Sequence, residues 1–261
     1  MDNDKKSLPV GVFDSGLGGI SVLRRLVKVL PDEDFIFYGD SANAPYGSRT
    51  ADDILQLTEN AADRLLSYGV KAIVIACNTA SSAAGRQLRE KYKNMPIICI
   101  EPALKPAVQE GHGGAVAVLA TEATLRLSKF AHLMDLYGKK IDIIKLPLPG
   151  LPEFVERGEL DSDKLRDFLT EKFAVLKGRN VESAVLGCTH YPFVRPMIQS
   201  ILGQDVKLYD GADGTARQTR RCLESYGLLN GNGNAHVEWH NSAGNQDEFI
   251  KRSKMLFKMK I

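Results

Sequence analysis

An apolar run that ends in a cysteine occurs twice in this chain. Ala72-Ile73-Val74-Ile75-Ala76-Cys77-Asn78-Thr79-Ala80-Ser81 is matched further along by Ala184-Val185-Leu186-Gly187-Cys188-Thr189-His190-Tyr191-Pro192. Each run of β-prone and small apolar residues suits a parallel strand buried on both faces. Polar residues and helix-compatible sequence follow, so each cysteine is expected at a strand's carboxyl end, where open α/β sheets place their ligands. A thiol there is expected to be partly exposed and to feel the positive end of a helix dipole, which favours thiolate. Taken singly, either cysteine reads most simply as a small buried hydrophobe. Core packing does not require cysteine followed by Asn-Thr or Thr-His at both sites, so the duplication points to two matched thiols in one cleft.

The 261 residues allow one large domain or two of modest size, each with its own core. A net charge of +2, with 34 basic and 32 acidic residues interspersed, advertises neither nucleic acid nor a membrane surface. No apolar segment is long enough to span a bilayer, and Met1 to Lys6 has no apolar stretch behind it, so a cytoplasmic protein is expected. Four cysteines without CxxC spacing suit reduced thiols better than disulfides or a zinc site. Cys99, in a strand-like run, and Cys222, in a helical one, read as structural. His112, His132, His236 and His240 form no convincing constellation, and no metal is expected.

The order of elements predicts an α/β fold. Strands at 9–13, 34–38, 72–76 and around Ile98 alternate with helices from Ile20, Ala51 and Ser81, which argues for a parallel sheet. The glycine-rich turn Asp14-Ser15-Gly16-Leu17-Gly18-Gly19 lacks both the GxGxxG spacing and the GK[ST] of a P-loop. Its glycines are expected to let a substrate carboxylate approach the backbone, and Asp14 to point into the cleft, or else to cap a helix. From Glu101 the pattern restarts. A strand at 115–120 leads into Thr121 and one helix running to Tyr137, and Thr121 precedes Cys188 at nearly the spacing by which Asp14 precedes Cys77. The proline-rich 147–152 is expected to be irregular, ahead of Glu156. We expect two facing, pseudo-symmetric domains with mainly parallel sheets flanked by helices and the active site in the interdomain cleft. The first comprises 1–100 plus 211–261, the tail packing back on it, and the second 101–210.

Five segments together resemble the glutamate racemase family. They are Gly11 to Gly19, Tyr38-Gly39-Asp40 with Pro45-Tyr46-Gly47, Ala76 to Ser81, Ile100-Glu101-Pro102 and Leu186 to Pro192, in the family's order, and the resemblance runs from about residue 9 to 220. One departure is that the proline-rich segment lacks the family's cysteine-proline start. The resemblance implies interconversion of L- and D-glutamate without cofactor, Cys77 and Cys188 acting as thiolate base and thiol acid and exchanging parts with substrate handedness. It implies Asp14 beside Cys77 and His190 beside Cys188 as tuning or relay groups, with Glu156 as a helper carboxylate. Asp14, Ser15, Tyr46, Gly47, Asn78, Thr79, Thr121, Thr189 and His190 would hold the substrate; taken alone, such loop residues read as caps and turns. The D-isomer would feed peptidoglycan synthesis, and a homodimer is expected. The residues leave open a racemase for aspartate, a dithiol redox protein and a non-catalytic small-acid binder.

Overall fold

The computed structural model describes residues 5–138 and 141–260. Met1 to Asp4, read above for a leader, lie outside the described residues. Two sheets organise the chain. The first holds β1 (Val10–Asp14), β2 (Phe35–Gly39), β3 (Ala72–Ile75), β4 (Ile97–Cys99) and β9 (Val237–Asn241) in the order β4-β3-β1-β2-β9. The second holds β5 (Ala115–Ala120), β6 (Ile143–Pro147), β7 (Val181–Leu186) and β8 (Lys207–Asp210) in the order β6-β5-β7-β8. Every neighbouring pair is parallel. Reversing the second order superimposes it on β4-β3-β1-β2, so β1 corresponds to β5 and β3 to β7. The pseudo-symmetry expected from the paired cysteine runs is present, and β9 is the strand that breaks it.

Helices follow the strands as the apolar spacing demands. α1 (Ile20–Val29) buries Ile20, Leu23 and Leu26. α2 (Ala51–Ser67) is capped by Thr50, whose hydroxyl accepts the Asp53 N–H, and Gly69 follows its end at φ +77. α3 (Asn78–Lys91) begins directly after Cys77, three residues earlier than the sequence pattern suggests, with the cysteine itself as N-cap. α4 (Leu104–Gln109) follows the first passage between the sheets. The helix expected from Thr121 to Tyr137 is two: α5 (Glu122–Arg126) and α6 (Ser128–Tyr137), separated by Leu127 in extended conformation. The break lets Phe130 reach the core beside β5 while Thr124 stays beside Thr79.

The proline-rich stretch is more regular than expected. Pro147 closes β6, and α7 (Leu151–Arg157) starts behind Gly150 at φ +93. Pro152 sits in its first turn, where a missing N–H costs nothing. α8 (Asp163–Phe173), α9 (Arg195–Leu202), α10 (Ala212–Ser225) and α11 (Gln246–Lys258) complete the layers. No helix among the described residues is long and apolar enough to cross a membrane.

The largest apolar cluster spans both sheets, joining Val12, Phe37 and Val74 to Leu119, Leu146 and Leu186. The chain passes between the sheets after β4 and again after β8, and the two passages touch. A Cβ on Gly211 would run into the Glu101 carbonyl and meet Ile100 Cγ1 at 2.8 Å. At the opposite end of the first sheet, Lys71 and Glu33 form a buried ion pair at 2.5 Å. Glu33 also accepts the Asn230 N–H at 2.7 Å, and Lys71 donates to the Lys6 carbonyl, so the pair ties the 230–234 turn and the N-terminal segment to the strand starts. Burial pushes the Glu33 carboxyl up and the Lys71 ammonium down. Lys71→Met would strand a buried carboxylate and is expected to lower unfolding free energy by about 3–5 kcal/mol in denaturant titration; adding Glu33→Gln should recover most of it. A double variant no more stable than the single one would refute this account.

Candidate active site

Strand ends from both sheets meet at one cavity of about 390 Å3. Cys77 lies two residues past the end of β3 and Cys188 two past the end of β7; both line it, with exposures of 5% and 8%. Ser15, Tyr46, Gly47, Asn78, Thr79, Thr121, Glu156, Thr189 and His190 line it too. Of the residues singled out in the sequence, Asp14 alone does not. It is fully buried behind the wall, where its carboxylate accepts the Gly16 N–H and the Thr189 hydroxyl, each at 3.0 Å.

The two thiols have different company. The Cys77 sulfur lies 3.6 Å from Ser15 Oγ and accepts the Ala80 N–H of the first turn of α3 at 3.5 Å. Burial, then the charge of Asp14, pushes this thiol up to about 12 despite the helix terminus. The expectation of a partly exposed, thiolate-prone cysteine therefore fails at Cys77, because desolvation outweighs the helix dipole. The Cys188 sulfur lies 3.6 Å from His190 Nδ1, and His190 Nε2 meets Glu156 Oε1 at 2.7 Å. Burial alone would lower the imidazole's proton affinity, but the partners Cys188 and Glu156 raise it well above the ordinary histidine range. His190 also offsets the effect of burial on Glu156, whose carboxyl falls below the usual carboxylate range.

The glycine turn has a use the sequence did not reveal. Rather than clearing space for a substrate carboxylate, Gly16 and Gly18 accept side chains from the other sheet. A Cβ at Gly18 would meet His190 Nδ1 and Thr189 Oγ1 at 2.5 Å, and one at Gly16 would strike the Glu156 carboxylate. The Leu17 N–H donates to Glu156 Oε1 at 2.7 Å, and Ser21 Oγ donates to the Thr189 carbonyl at 2.9 Å. On the first sheet, Tyr46 donates to Asp40 at 2.6 Å. Burial, then that bond, raises the Tyr46 phenol and keeps it a neutral donor. Thr79, Thr121 and Thr124 form a hydroxyl cluster at 2.9–3.1 Å.

Three contributors escape sequence reading. Thr124 and Ser21 lie within helices, and Arg252 of α11 donates to the backbone carbonyl of Glu156 from 96 residues away, a contact that leaves no spacing signal. Among the described residues, no group of three His, Cys, Asp or Glu could hold a metal ion.

Two like sheets of an α/β fold each bring a buried thiol to one cavity, beside titratable partners. The family model for Asp/Glu/Hydantoin racemase matches residues 10–219, and the chain belongs to that family of isomerases. It is 53% identical to a glutamate racemase of Clostridium perfringens over 224 residues, 86% of each chain, and 48% identical to one of Clostridium novyi over 97% of this chain and 98% of the other. The crystal structure of glutamate racemase from Francisella tularensis in complex with D-glutamate shares the fold at TM-score 0.84, with 29% identity over 98% of this chain and 96% of that one. The RacE1 isoform of Bacillus anthracis does so at TM-score 0.88, with 26% identity and the same coverage.

Gly18→Ala is expected to push His190 and Thr189 off their positions and lower kcat/KM for the family reaction about 100-fold with the fold retained; an unchanged rate would show that the close approach is dispensable. Asp14 supplies a second prediction. Burial, opposed by His190, raises its carboxyl from 3.8 to about 6. The folded state then holds more protons than the unfolded one between those values, so stability falls as pH rises through this window, by up to about 3 kcal/mol. Asp14→Asn should remove that slope, as measured by chemical denaturation at pH 4 and pH 7, and an identical slope in the variant would disprove the assignment.

Proposed function

We propose that the protein interconverts L- and D-glutamate by a cofactor-independent two-base proton transfer at the α-carbon, with Cys77 and Cys188 as the two groups. The observation that carries this reading is one buried thiol from each of two corresponding strand ends in a single cavity. Inversion needs a proton removed from one face and another returned to the opposite face, so the two groups must flank the carbon. Matched strand ends of facing, pseudo-symmetric sheets support such an arrangement. The glutamate racemases among the relatives support the choice of substrate.

The unequal surroundings of the thiols suggest how a turnover starts. With its proton affinity raised to about 12, Cys77 rests as a thiol at neutral pH and serves as acid. His190, held protonated by Glu156, donates toward the Cys188 sulfur and stabilises negative charge there. Cys188 then takes the α-proton while Cys77 delivers its own, and the opposite enantiomer runs the exchange in reverse. Asn78 Oδ1 is buried without a partner and suits the substrate ammonium, whose charge would in turn favour thiolate at Cys77. The first turn of α3 and the Thr79 and Thr121 hydroxyls suit a carboxylate. Exclusion of water strengthens each of these contacts at the developing carbanion.

The strand memberships support domains of 1–100 with 211–261 and of 101–210, closing on the substrate between them. In a cytoplasmic setting the D-glutamate would supply peptidoglycan synthesis.

Proton NMR of L- and, separately, D-glutamate in D2O without added cofactor tests the reading on wild type, Cys77→Ser and Cys188→Ser. Wild type should deuterate the α-carbon as the other enantiomer accumulates, and each variant should lose racemisation by roughly 100-fold or more. Residual exchange confined to one enantiomer in each variant would assign the faces. Exchange of aspartate but not glutamate would overturn the substrate, and full activity in either variant would overturn the two-thiol mechanism.

A further inference from the structure

On the far side of the wall that carries Thr189 lies a second cavity, of about 610 Å3, with four cationic side chains in its lining: Arg24, Arg25, Lys28 and Arg195. The proton-transfer site uses none of them. Two carboxylates share the cavity and both are engaged: Asp210 meets Arg195 at 2.6 Å and Asp213 meets Arg25 at 3.4 Å. Arg24 and Lys28 have no carboxylate left opposite them among the lining residues. Arg24 Nη1 is buried and makes no hydrogen bond, and burial, then the charge of Arg25, lowers the proton affinity of its guanidinium. A buried charged donor without an acceptor is costly, and because Arg24 also lines the cavity, a turn of its guanidinium toward a bound anion would remove that cost.

We propose that this cavity binds a compact dianion of the phosphate class, either free phosphate or the head of a phosphomonoester, with Arg24 and Lys28 as its principal counter-charges. Two uncommitted cations match two negative charges. A tetrahedral head can accept the planar fork of Arg24 on one side and the Lys28 ammonium on another. The walls belong to both sheets' elements: Arg24, Arg25 and Lys28 lie on α1, Arg195 on α9, and Asp210 ends β8. An occupant therefore ties α1 to α9 across the boundary between the halves. Ser21, also in the lining, donates to the carbonyl of Thr189, so one hydrogen bond links the lining of this cavity to that of the reaction cavity.

Thermal unfolding of the full chain, without glutamate and at constant ionic strength set with potassium chloride, tests the proposal with inorganic phosphate, glycerol 3-phosphate and succinate. Wild type, Arg24→Gln and Lys28→Gln are compared. The expected result is a saturable rise in Tm with phosphate, the ester or both, its half-saturating concentration at least about tenfold higher in Arg24→Gln. A rise with both ligands means that the head suffices, and a rise with the ester alone means that its organic part adds contacts; either supports the site. No saturable rise, an equal rise with succinate, or half-saturation unchanged in both variants would overturn it. Lys28 is exposed, so its variant keeps the test decisive if Arg24→Gln folds poorly.

Discussion

One carboxylate oxygen holds the two halves of this site in register. Glu156 Oε1 accepts the Leu17 N–H from the glycine turn of the first sheet and meets His190 Nε2 beside the second cysteine, both at 2.7 Å. Through those bonds the turn after β1, the helix after β6 and the loop after β7 become one part-buried unit. The glycines at 16 and 18 follow from it, because any side chain there would occupy the space that Glu156, Thr189 and His190 require. The buried position of Asp14 follows as well. With Thr189 drawn against the turn, its hydroxyl finds an acceptor in the Asp14 carboxylate instead of leaving that carboxylate to the cavity.

Symmetry in the fold thus supports asymmetry in the chemistry. Corresponding strands bring a thiol from each side, yet Cys77 is surrounded by a hydroxyl, a helix terminus and a hidden acid, whereas Cys188 adjoins an imidazole paired with a carboxylate. The two thiols therefore share one cavity but differ in every hydrogen-bond partner around them.

The strands and their parallel pairing could be read directly, because runs such as Ala115 to Ala120 are apolar throughout and turn residues punctuate them. The paired cysteines and about half of the cavity lining were equally legible, since those residues lie in the segments that follow strand ends. What escaped was set by contacts distant in sequence. Leu127 carries no helix-breaking signature, and its extended backbone answers to the burial of Phe130. The glycine turn reads as a ligand loop until the side chains that pack on it are known. Local sequence predicts a dipole acting on Cys77 but cannot report how completely later residues remove it from water. Arg252 reaches Glu156 through a backbone carbonyl, which any residue type would offer.

The contact at Gly211 also determines what kind of movement the two halves can make. Both passages between the sheets lie against each other there, at the β4 and β8 edges. A rotation about that point has a short lever arm to β3 and β7, the strands that carry the thiols, and one about three strand spacings long, roughly 14 Å, to β2 and β6. Opening would therefore swing the Tyr46 and Leu148 loops apart about three times as far as it separates the sulfurs. The mouth can widen to admit or release a ligand while the two sulfurs keep nearly their spacing.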